Sequence, residues 1–247
     1  MNALIRAELL KLSTTRMFWG IALTTVALAP ATVALAILQP QPAVPLDSAD
    51  GVRSVIAAAS SGTLVLLVFG ILITAGEFRH RTATSTFLIT ADRRKVVRAK
   101  LAAAGITAIC LTILSSVVAL AVALPWLSAR GVRVGSYSGQ IAAAVGGAML
   151  AGVVYGLVGV GFGAIVRNQT AAITAALLWS TLGEGLLIDH APAMGRWLPG
   201  GASNALTGMA TPHGSLLPMW GAAVLFTGYG LAFAVAGLQT ITRHDVA

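Results

Sequence analysis

Acidic side chains are scarce in this chain. Its 247 residues include eight Asp and Glu against sixteen Lys and Arg, and charged residues make up only 10% of it. Soluble globular domains carry about a quarter charged residues. With 57% of its residues hydrophobic, a water-soluble fold of this length would leave a large apolar surface exposed. That excludes an ordinary soluble domain and points to lipid as solvent. Cysteine is nearly absent: Cys110 stands alone, so no intrachain disulfide can form, and no Cys/His set has metal-ligand spacing. Lying inside an apolar run, Cys110 is expected to be a small buried residue. No GxxxxGK[ST] motif occurs, so the chain has no P-loop of its own. No GxSxG elbow accompanies its Ser, His and Asp residues, and nothing marks it as an enzyme.

What the chain does have is long apolar runs. A membrane helix needs about 20 apolar residues to cross about 30 Å. Six runs qualify: Met17–Leu38, Val55–Ala75, Leu101–Leu124, Gln140–Val166, Thr170–Ile188 and Leu216–Leu238. The first has a basic start and an Ala27-Leu28-Ala29 sequence resembling a signal-peptidase site. Its uncharged stretch outlasts an ordinary signal core, so a retained helix is expected. The fourth run is long enough to tilt or break. Its Gly152-x-x-x-Gly156 and Gly159-x-x-x-Gly163 spacings read as small-residue faces for close helix packing, not as a dinucleotide site, because no strand precedes them. The fold class expected is an all-α membrane protein with six transmembrane helices in a single domain, 1–247.

The net charge of +8 sits in short clusters between these runs. That placement fits a membrane face better than a nucleic-acid surface, so membrane lipids are expected partners and nucleic acid is not. With the N-terminus inside, twelve Lys and Arg fall in cytoplasmic segments and four in outer ones (Arg53, Arg130, Arg133 and Arg196). The positive-inside bias places both termini in the cytoplasm. Cysteines placed at Ser48 and Ser203 are then expected to label from outside, and those at Ser13 and Ser85 not.

Two cytoplasmic segments stand out. Residues 1–16 place Ile5, Leu9 and Leu12 on one helical face. They read either as an amphipathic helix on the membrane or as a cytosolic extension of the first span. The loop 76–100 carries seven of the sixteen basic residues. It mixes Phe78, Phe87 and Leu88 with Glu77, Arg79 and Arg81, apolar anchors ringed by charge that suit a cleft on a partner. In the outer segment 189–215, Pro192, Pro199 and Pro212 argue against a lipid-facing helix and allow a short helix or re-entrant element packed on protein. Glu184 lies close to the outer end of the fifth run. It reads as a residue lining the transport pathway or as a plain interface charge.

The sequence Gly76–Lys100, "GEFRHRTATSTFLITADRRKVVRAK", resembles the first cytoplasmic loop of ABC-2 type transporter permeases. A Gly-Glu pair ends the second helix there, and a basic stretch ending in Lys precedes the third. "ELLKLSTTRMFWG" at Glu8–Gly20 is similar to that family's N-terminal element. "WSTLGEGLL" at Trp179–Leu187 and "RWLPGGASNAL" at Arg196–Leu206 are similar to its fifth helix and outer segment. The chain departs from the pattern at Arg81, where Gly is common, and at Ala91, where Pro is common. The resemblance implies a type V-like half-transporter in a bacterial inner membrane. It implies a second permease chain, identical or related, and two copies of a separate ABC ATP-binding subunit that holds ATP and Mg. It implies export of a drug, antibiotic, peptide, lipid or similar amphipathic substrate. Glu77, Phe78, Arg79, Arg81, Thr86, Phe87 and Leu88 would form the contact with the ATPase. A transporter or channel that works without an ATPase is the alternative.

Overall fold

The computed structural model describes residues 1–39, 44–79, 92–209 and 216–243. Eleven α-helices and no strand occur among the described residues: α1 Asn2–Ser13, α2 Arg16–Leu38, α3 Ala49–Ala58, α4 Thr63–Arg79, α5 Arg93–Ala129, α6 Ser138–Val166, α7 Gln169–Leu178, α8 Glu184–His190, α9 Pro192–Gly195, α10 Pro199–Thr207 and α11 Met219–Arg243. Six segments among them are long and apolar enough to cross a membrane: Arg16–Leu38, Ala49–Glu77, Arg94–Ala129, Val134–Val166, Gln169–His190 and Met219–Thr242. These are the six runs expected from sequence, with shifted ends.

The shifts have local causes. Span two begins at Ala49 because Ser48 caps α3, its hydroxyl accepting from the Gly51 amide at 3.0 Å. It then changes pitch through a 3-10 step, Ala59–Gly62. Span three starts at Arg93, well before Leu101, because the Asp92 carboxylate accepts from the amides of Arg94 and Lys95 at 3.1 and 3.2 Å. So Gly76–Arg79 and Arg93–Lys100, read as loop from sequence, are helix. The fourth run does not break. It runs as α6 to Arg167, whose left-handed backbone (φ 56°) ends it. Span five is broken into α7 and α8 by a π-helical step, Trp179–Gly183.

α6 is the hub. It packs against α4, α5, α11 and α10. Its glycines make this possible: a Cβ at Gly159 would fall on the Leu67 carbonyl oxygen, and one at Gly161 on that of Phe233. The small faces expected from the Gly-x-x-x-Gly spacings are therefore packing faces. Several hydroxyls within the spans bond back to their own helix, which spares them a partner from lipid. Thr25, Thr32 and Ser115 donate to the carbonyls of Ile21, Leu28 and Leu111 at 2.8 to 2.9 Å.

Cys110 departs from expectation: it is exposed, not buried. It shares the outer face of α5 with Ile106, Ile109 and Ile113. Where the solvent is lipid, such a face is apolar without being covered by protein.

Candidate functional site

α1 is a separate helix. Thr15 between α1 and α2 is extended (φ −92°, ψ 135°), so the N-terminal stretch does not prolong the first span. Nor is its apolar face free. Leu12 is buried in a cluster with Phe69 and Ile73 of α4 and Ala103 and Ala104 of α5, and Leu9 packs beside it. Seating Leu12 there brings Glu8 and Lys11 of the same helix against the C-terminal end of span two and the start of span three.

Four charges meet at that junction. Lys100 Nζ donates to Glu8 Oε2 at 3.0 Å and to Glu77 Oε1 at 2.8 Å. Lys11 pairs with the same oxygen of Glu77. The Lys100 side chain is 4% exposed, Glu77 9% and Glu8 10%, while Lys11 reaches toward solvent at 44%. Removing charges from water is costly, and a buried set is sustainable only when each charge has close opposite partners. Two carboxylates and two ammonium groups meet that condition. Glu8, Lys11, Leu72, Gly76, Glu77 and Gln169 line a cavity of about 330 Å³ beside the cluster.

Of the loop residues singled out from sequence, Glu77 is at the centre of this cluster. Arg79 ends α4 and is exposed. Arg81, Thr86, Phe87 and Leu88 lie outside the described residues, as does the side chain of Phe78. Glu8, Lys11 and Lys100 were present in the quoted motifs but not assigned a role. Their signal was a Glu and a Lys three residues apart, flanking the apolar face that carries Leu12.

The opposite end of the bundle uses charge differently. The stretch between spans five and six forms α9 and α10, and Gly201, Ala202, Ser203, Ala205, Leu206 and Thr207 of α10 are buried. This is the short protein-packed helix that the prolines allowed, with Pro199 as its first residue. Leu206 rests on α6, where a Cβ at Gly147 would collide with its carbonyl. Ser203, expected to be reachable from outside, is only 7% exposed. The π step in span five turns Glu184 inward, leaving it 2% exposed. Its carboxylate accepts the amide of Gly200 in the first turn of α10. At the other end of α10, the Arg53 guanidinium donates to the carbonyls of Ala205 and Leu206 at 3.4 and 3.3 Å. An anion at the N-terminus and a cation at the C-terminus complement both ends of the helix dipole. Glu184 is thus a buried cap rather than an exposed interface charge. Arg53 was counted only for topology.

Compared with known proteins, the chain matches no family model and no curated protein sequence.

Proposed function

We propose that the chain is the membrane-spanning permease subunit of an ATP-driven exporter, energised by a separate ATP-binding subunit and paired with a second permease chain. The observation that carries this reading is the four-charge junction. It locks α1, the end of span two and the start of span three into one unit, on both flanks of residues 80–91. A force applied to that short segment would be delivered to two spans and to α1 together. Motion imposed by a partner needs such a rigid transmission, since packed elements shift between discrete arrangements instead of deforming continuously. The positive-inside count supports a cytoplasmic location for this end. The sequence has no P-loop, so ATP and Mg would be bound by the partner. The outward-going substrate would be amphipathic, a drug, antibiotic, peptide or lipid, in an inner membrane of a bacterial cell.

The test is co-purification of the full chain from its own host, with a photo-crosslinking residue at Phe87. The expected product is a crosslink to a protein that carries a P-loop. Gradient-driven transport by the chain alone in proteoliposomes, with no such partner recovered, would overturn the reading in favour of a self-sufficient transporter or channel. Labelling of a cysteine at Ser85 from outside the cell would reverse the orientation.

A further inference from the structure

A second cavity of about 330 Å³ lies beside α10. Its wall comes from four separate segments: Ser60 of the 3-10 step, Tyr155 near the middle of α6, Asp189 at the end of α8, and Ser203, Asn204 and Thr207 of α10. Tyr155, Ser203 and Thr207 are 5%, 7% and 2% exposed. Polar side chains are expensive to bury among membrane helices, and this cavity sets several of them into a wall that is otherwise largely apolar.

The hydrogen bonds give that place a sense. A hydroxyl has one proton and two lone pairs. Thr207 Oγ1 donates its proton to the Ser203 carbonyl at 3.0 Å, and Thr63 Oγ1, also in the wall, donates to the Ser60 carbonyl at 2.8 Å. What these two threonine hydroxyls have left to offer the cavity is lone pairs. Ser60 Oγ is shielded from solvent and has no partner among the described residues. Among the described residues, the one charged side chain in the wall is Asp189, a carboxylate, and no Lys or Arg lines it. The Tyr155 ring adds an aromatic surface, which favours cations over anions. An anion would find no cationic donor here. A bare metal ion would find one carboxylate where hard cations collect six or more oxygens, several of them charged.

We infer that this cavity binds a small organic cation bearing N–H donors, of the primary-ammonium class. An ammonium group is all donor and no acceptor, the complement of the Asp189 carboxylate and of the lone pairs left on Thr63 and Thr207. Asp189 at the rim supplies the opposite charge. Under the exporter reading, on which only this role rests, the cavity is a recognition site for the transported molecule. The binding itself needs neither ATPase nor second permease.

The experiment uses the full purified chain in nanodiscs, in a sodium chloride background, with 1,4-diaminobutane as probe and 1,4-butanediol as its neutral isostere. Thermal unfolding should shift to higher temperature in a saturable way with the diamine and not with the diol. Asp189→Asn, at an exposed position, should weaken the diamine on the order of tenfold, since a hydrogen bond to a charged partner is lost. Ser203→Leu, which fills the cavity, should abolish the shift. If that variant unfolds by itself, Ser60→Val serves the same purpose at a less buried position. Equal binding of the diol, no saturable shift, or a diamine affinity unchanged in Asp189→Asn would each overturn the site. A P-loop partner that co-purifies while the diamine fails to bind separates this proposal from the exporter reading.

Discussion

The two ends of the bundle both hold buried charge, but they neutralise it in different ways. At the basic end, Glu8, Lys11, Glu77 and Lys100 neutralise one another, side chain to side chain, across three helices. At the opposite end, Glu184 and Arg53 neutralise the two poles of α10, side chain to backbone. The first arrangement binds long elements that would exist without it. The second creates an element: nine residues cannot hold a helix alone, because isolated helices shorter than about 12 residues are marginal. Charge therefore fastens one end and shapes the other.

The sharpest way to break this comparison is at Lys100. Lys100→Met leaves Glu8 and Glu77 buried without their shared partner. A loss of about 3–5 kcal/mol is expected, the scale for breaking a buried ion pair, read as a lowered unfolding temperature in detergent. Glu77→Gln combined with Lys100→Met should cost less than the sum of the single variants. Strict additivity in that double-mutant cycle would show that the charges are not coupled. Next comes Glu184→Leu, which orphans the Gly200 amide. About 1–3 kcal/mol is expected for a buried donor left unmade. Glu184→Gln should recover most of it, because an amide oxygen still accepts, and a Gln variant as unstable as Leu would show that the charge itself caps α10. Arg53→Ala ranks third, at about 1 kcal/mol, since its hydrogen bonds are long and its side chain is half-buried; unchanged exchange protection of the Ala205 to Gly208 amides would remove Arg53 from the account. The smallest effect belongs to Asp92→Ala.

Asp92 also gives the comparison a pH axis. The backbone amide of Lys95, above all, holds its carboxyl below the usual carboxylate range. A carboxyl lowered on folding contributes stability that is complete above its unfolded value and fades as pH falls through its folded one. The start of α5 should therefore loosen only in acid below the ordinary Asp range, seen as faster exchange of the Arg94 and Lys95 amides. The same exchange rate in wild type and Asp92→Ala above that range, where the carboxylate is charged, would discard the cap.

The spans were legible in the sequence because length and apolarity alone decide whether a helix crosses lipid. The ends of the spans were not, because they depend on single capping side chains such as Ser48 and Asp92, whose donors and acceptors only the folded backbone brings into reach. Glu77 and Glu184 stood out as rare carboxylates. Their partners did not: Lys100 is 23 residues from Glu77, and Glu8 is 92 from Lys100, separations that no helical period encodes. Cys110 was misplaced because an apolar run does not say which face meets protein and which meets lipid.

The bracketing of α10 has a consequence for biogenesis. Its two clamps come from residues 53 and 184, on either side of most of the chain, while the charge junction is complete once Lys100 has been synthesised. The first three spans can close their knot during translation and wait. The opposite end stays unassembled until the fifth span has entered the membrane and α10 has followed it out of the ribosome. A chain stopped after His190 would present Glu184 and Arg53 with nothing between them, two charges without an occupant. Such an intermediate is what a membrane quality-control protease is equipped to find.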